Sequence, residues 1–144
     1  MYFDDFSLHR IYVIEPITIE KEKMMAFAHE YDPLPIHTDE EYAKKTHFGA
    51  LIAPGVMTFM SLWERFLSQN LFGDELLAGK STRIEWHRPV YAGDRLQSQA
   101  EITALTRRSA KNGIVEVTVT AINQNGVLVL SDITEVVVKC RPTP

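Results

Sequence analysis

The 144-residue chain has one cysteine, Cys140, which excludes an intrachain disulfide and any metal site built from several thiolates. A lone thiol fits a reducing compartment. No apolar run approaches the roughly 20 residues that a membrane-spanning helix needs. Excess positive charge is also missing. Fifteen Lys and Arg against 19 Asp and Glu leave a formal net charge of −4, which rules out a nucleic-acid binder of the polybasic kind. The opening residues "MYFDDFSLHR" are acidic and lack the basic-then-apolar order of a signal peptide. Repeats, low-complexity tracts and linkers are absent. The expectation is one cytoplasmic globular domain over residues 1–144, 45% hydrophobic and 24% charged, long enough to bury a core.

Hydropathy divides the chain into a helical front and a strand-rich back. "IYVIEPITI" reads as a short strand. From Glu20 to about Tyr31, the residues Met24, Phe27, Ala28 and Tyr31 recur at the spacing of one helix face. Thr38-Asp39-Glu40-Glu41 has the capping-box pattern and predicts a short second helix starting at Thr38. "APGVMTFMSLWERFLSQN" then opens on Pro-Gly and runs as a third helix. Val56, Phe59, Met60, Trp63, Phe66 and Leu67, widened by Met57 and Leu62, give it a broad stripe, so the helix should be largely enclosed.

Past Lys80 the period falls from 3.6 to 2. "STRIEWHRPV", "RLQSQAEITAL", "GIVEVTVTAI" and "VLVLSDITEVVV" are rich in Val, Ile and Thr and read as strands. The breaks "AGD", "KNG" and "QNG" are hairpin-type turns, which predict that sequential strands pair antiparallel. The fold class expected is α+β, with an antiparallel sheet of about five strands wrapped around one long helix. Its open edges favour a homodimer.

Three segments could carry chemistry. In "YDPLPIHTDEE", Pro33 and Pro35 stiffen the link between Asp32 and His37 and leave it few conformations. A carboxylate and an imidazole held so could divide acid and base work on one water. Asp-Pro is equally ordinary turn chemistry, and a histidine before a helix can simply pack on it; spacing alone leaves both readings open. Asp32, His37, Asp39 and His47 match no established metal-ligand spacing. In "HFGALIAPGV", Gly55 at the helix entrance presents a bare backbone N–H at the positive end of the helix, suited to an oxygen gathering negative charge. A plain Pro-Gly helix start explains the same letters. "HRPVYAGDRL" is a strand followed by a Pro–Gly–Asp corner.

Taken in this order, the three segments resemble the MaoC-like dehydratases and (R)-specific enoyl-CoA hydratases of the hot-dog fold. The matching residues are Asp32, Pro35 and His37, then Phe48-Gly49, Ile52-Ala53 and Gly55, then Pro89-Val90, Gly93-Asp94 and Leu96. The resemblance spans about residues 12 to 138. Two positions depart from the pattern: Leu34 stands where the signature usually has Asn, and bulky Trp63 where (R)-hydratases tend to have a small polar residue.

The resemblance implies a hydro-lyase that adds water reversibly to a trans-2-enoyl thioester, carried by coenzyme A or acyl carrier protein. Asp32 and His37 would hold the water between them as the catalytic pair, and the Gly55 N–H would receive the thioester oxygen. Met57, Met60 and Trp63 are the candidates for the acyl wall, and Lys80, Arg83, Arg88, Arg107 and Arg108 are available cations for a coenzyme A phosphate. No metal or redox cofactor is implied. Two alternatives are a hot-dog thioesterase, for which no Ser or Cys is set up as a nucleophile, and a non-catalytic acyl-thioester-binding subunit, which would have no use for the Asp–His pair.

Overall fold

The computed structural model describes residues 1–144. Strand β1 (Ile11–Thr18) leads into α1 (Lys21–Tyr31), the short helices α2 (Pro35–Thr38) and α3 (Glu40–Lys44), and the long α4 (Gly55–Leu67). Strands β2 (Leu76–Trp86), β3 (Arg95–Arg107), β4 (Asn112–Ile122) and β5 (Leu128–Lys139) follow. All pairings are antiparallel, in the order β1-β3-β4-β5-β2. The helix-then-strands order agrees with the period change at Lys80.

Alternation decides which face of the sheet meets α4. Leu96, Ala100 and Ile102 of β3, Val115, Val117 and Val119 of β4, and Leu130, Val136 and Val138 of β5 are buried on one side. They close over Phe59, Leu62 and Phe66 of α4 in one core. Pro16 sits inside β1 where the register against β3 shifts between Ile14 and Ile17. A residue with no N–H is tolerated there because β1 is a sheet edge with a bulge.

Three expectations need correction. The strands β2 and β3 are not neighbours: β2 pairs with β5 at one edge, and β3 lies next to β1 at the other side. The "AGD" turn does not fold β3 back on β2, because its polar groups bond elsewhere. Gly93 N–H donates to Ile19 O (2.7 Å), and Ile19 N–H donates to Asp94 O (2.9 Å), so the corner is sewn to the end of β1.

The α4 stripe is rotated from the one expected. Met57, Thr58, Phe59, Leu62 and Phe66 are buried, whereas Val56, Met60 and Leu67 stay between 41% and 51% exposed. A single sheet covers one side of the helix, and the other side is uncovered in the single chain.

The capping box also differs. Thr38 ends α2 and its hydroxyl donates back to Leu34 O (3.2 Å). Asp39 is the N-cap of α3, accepting from Tyr42 N–H at 3.0 Å. A carboxylate one residue on satisfies the first turn of that helix better than the threonine could.

Candidate active site

Asp32 is the residue at which α1 stops. Its N–H still donates to Ala28 O (2.9 Å), but its own backbone is already non-helical. Pro33 follows, Leu34 is extended, and Pro35 opens α2 at the helix position where a missing N–H costs nothing. His37 therefore lies inside this one-turn helix, not ahead of it. The chain is thus turned so that the two side chains meet: His37 Nε2 stands 3.2 Å from Asp32 Oδ2.

The other ring nitrogen fixes the tautomer. His37 Nδ1 is 2.7 Å from Ile52 O, and a carbonyl can only accept, so Nδ1 carries the hydrogen. Nε2 is then the ring nitrogen that faces the carboxylate oxygen of Asp32. The imidazole side chain is 7% exposed and that of Asp32 is 39% exposed, so Asp32 forms the open side of the pair and His37 its anchored back. At 3.2 Å there is no room for a water between the two atoms. A water that touches both has to approach from the cleft.

That cleft, of about 420 Å³, is lined by Asp32, His37, Ile52, Gly55, Val56 and Trp86 among others. Gly55 is the first residue of α4, and no side chain caps that end, so the first-turn N–H groups are directed outward. The indole of Trp86 lies against Gly55: a β-carbon there would come 2.2 Å from Trp86 Cε2 and Nε1. The "HRPVYAGD" corner holds the floor. Val90 O accepts from Ala53 N–H (2.7 Å), Tyr91 bridges to Ile52, and the Tyr91 hydroxyl donates to Phe48 O (2.9 Å). Asp94, 8% exposed, braces the corner by accepting from Tyr91 N–H (2.9 Å) and Gln124 Nε2 (3.0 Å).

Asp32, His37 and Gly55 thus share one cleft. Met57, Met60 and Trp63 do not line it. Two residues past Gly55 the helix has turned Met57 into the core, and Trp63 stacks on Phe59 with ring centroids 5.9 Å apart. Val56 and Thr58 are the α4 side chains that reach the cleft, and Val56 also borders a second groove lined by Met60 and Trp63. Among the five candidate cations, only Arg88 lines the cleft, and it makes no ion pair. Lys80, Arg83 and Arg107 pair with Glu135, Glu85 and Asp4. Sequence reasoning missed Trp86 and His87 as cleft residues. The available signal was their place immediately before the Arg88-Pro89 break that ends β2.

Together, these features define a hot-dog domain: a five-stranded antiparallel sheet curled on a central helix, with an acid–imidazole pair at the helix entrance. Residues 9–125 match the MaoC-like domain, and the chain belongs to that family. It is 29% identical over 140 residues to YdeM of Bacillus subtilis (strain 168), a protein of uncharacterized role, covering 96% of this chain and 99% of that one. The structure superposes with a TM-score of 0.91 on a protein called monoamine oxidase regulatory protein from Archaeoglobus fulgius, at 27% identity, covering 99% of this chain and 96% of that one. It superposes with a TM-score of 0.74 on the (R)-hydratase from A. caviae involved in PHA biosynthesis, also at 27% identity, covering 95% and 98%.

Proposed function

We propose that the protein is a hydro-lyase that adds water reversibly to a trans-2-enoyl thioester and yields the (R)-3-hydroxyacyl thioester. One observation carries the reading: the Asp32–His37 pair, with Nε2 at 3.2 Å from Oδ2, opens into the same cleft as the uncapped N-terminus of α4. Family membership and the likeness to an (R)-hydratase support it.

In the hydration direction, water sits on the cleft side of the pair. Asp32 orients it and accepts one of its protons while the oxygen bonds to the β-carbon. That proton passes by way of His37 Nε2 to the α-carbon, so H and OH are added across the double bond and nothing is oxidised. The Gly55 N–H holds the thioester oxygen while negative charge gathers there. The thioester is itself the electron sink, so this chemistry calls for neither metal nor redox cofactor. Coenzyme A or acyl carrier protein is the carrier, and Arg88 at the cleft is placed to meet an anionic part of it. A homodimer is the assembly that the uncovered side of α4 and the edge strand β2 favour.

Crotonyl-CoA tests the reading by loss of ultraviolet absorbance as the conjugated double bond is hydrated. Wild type should hydrate it, and Asp32→Asn should lose at least about 10²-fold in rate. A variant within threefold of wild type would remove Asp32 from the mechanism. Release of free thiol without hydration would make the protein a thioesterase.

A further inference from the structure

A second polar cluster lies away from the Asp32–His37 pair, beside a groove that shares Val56 with the cleft. This groove, of about 360 Å³, is lined on the α4 side by Val56, Phe59, Met60 and Trp63 and on the sheet side by Thr82, Ile84 and Thr134. Beneath the two threonines is Asp132, a fully buried carboxyl group on β5. Register puts these side chains on one face, with Thr82 opposite Thr134 and Ile84 opposite Asp132.

The Thr82 hydroxyl donates to Asp132 Oδ1, and the Thr134 hydroxyl donates to Oδ2 at 2.5 Å. The two hydroxyl oxygens are themselves 2.7 Å apart. Three oxygen contacts share the hydrogens of two threonines and, when protonated, of one carboxylic acid. In either protonation state the hydroxyl hydrogens are engaged inside the cluster, and the oxygen of Thr82, a residue that lines the groove, has only lone pairs to offer a further partner. Such a site accepts a hydrogen bond from a donor in the groove. The α4 side of the groove is apolar and its β2 side also carries Lys80 and Ser81, so the acid is buried beneath a mixed wall, where burying it costs stability unless it is bonded.

Resting on the hydratase reading above, the geometry points to an acyl chain that carries a hydroxyl group toward its distal end, read by Thr82 with Asp132 and Thr134 as positioning residues. Thr82 lies four residues along β2 from Trp86, roughly 13 Å at strand rise. Val56 to Trp63 along α4 is roughly 10 Å. That is the reach of a medium-length chain from the thioester. A homodimer partner laid along β2 and α4 would roof the groove.

The test compares octanoyl-CoA with its ω-hydroxy form by titration calorimetry, and the matching 2-enoyl thioesters by hydration rate. Wild type, Thr82→Val and Thr82→Ser are measured side by side. Wild type should prefer the hydroxylated chain by roughly fivefold to tenfold, the worth of one hydrogen bond. Thr82→Val should lose that preference and Thr82→Ser should keep it. A role confined to tying β2 to β5 would weaken both ligands equally in Thr82→Val, and would overturn the proposal. Equal weakening with a changed sedimentation coefficient would assign the groove end to a second copy of the chain, also against it. If wild type hydrates crotonyl-CoA but neither longer thioester binds, the inference fails and the hydratase reading survives. Preferential binding of the hydroxylated chain without hydration leaves the inference standing and removes the catalytic reading.

Discussion

The indole of Trp86 occupies the space that a β-carbon on residue 55 would need, with Cε2 and Nε1 both 2.2 Å from that position. The entrance of α4 and the end of β2 are therefore fitted to each other, and the fit exists only because residue 55 is glycine. Gly55→Ala should push the indole aside and shift one wall of the cleft. The expected outcome is a folded protein whose tryptophan emission changes and whose hydration rate falls by roughly 10²-fold, the cost of misplacing a reacting centre by about 1 Å. Unchanged emission and rate would show that the ring moves away freely.

His37 is anchored from behind by Ile52 O at 2.7 Å, and this contact should matter for both rate and stability. His37→Ala removes the proposed proton carrier and leaves Ile52 O without this partner. The rate should fall by about 10²–10⁴-fold. Stability in urea unfolding should fall by about 1–3 kcal/mol. Asp32→Asn, at a partly exposed side chain whose one charged neighbour within reach is the imidazole, should lose rate with a much smaller stability change.

Asp94 supports the site without lining the cleft. It holds Tyr91 N–H and Gln124 Nε2, and Tyr91 in turn holds Phe48 and Ile52 beside the cleft. Asp94→Ala should destabilise the fold by about 1–3 kcal/mol and lower the hydration rate, while Asp94→Asn keeps the corner bonded and retains more of both. Chemical denaturation and the crotonyl-CoA assay on the two variants check this.

The helix-on-sheet class was legible because the change of period from helix to strand is a property of neighbouring residues. The pairing of β2 with β5 was not, since a turn of hairpin composition says nothing about what its polar groups will bond. Here Gly93 and Asp94 bond Ile19, a residue far away in sequence. The α4 stripe was misjudged in part: Met57 is buried as expected and Thr58 with it, while Val56, Met60 and Leu67 face outward, because one sheet covers only one side. The two prolines and the spacing singled out Asp32 and His37 without deciding between a pair and a turn, and the structure brings their side chains to 3.2 Å. Trp86 was hidden inside an ordinary strand pattern, and only the missing β-carbon of Gly55 gives it a role.

Burial raises the pKa of Asp132 above its ordinary value of 3.8, against a lowering by the Thr134 and Thr82 hydroxyls, and no charged side chain adds to the balance. The unfolded chain then releases its proton first as pH rises. The contribution to stability is fully present below the ordinary value and is lost as pH climbs through the raised one. Asp132→Asn lacks that slope, so its stability relative to wild type should increase from acid toward neutral pH. Thermal unfolding of both proteins across this range checks the sign. A relative stability that decreased instead would mean that the folded protein holds the ionised form.

Pro16 has a consequence beyond its own strand. It interrupts the outward side of β1 with a residue that offers no donor, whereas β2 runs in regular register from Ser81 to Trp86 at the opposite edge. One border of the sheet is guarded and the other is open. Two chains meeting through Ser81–Trp86 around a twofold axis would turn only guarded borders to the solvent, so growth by strand addition would end at two and no fibre would follow.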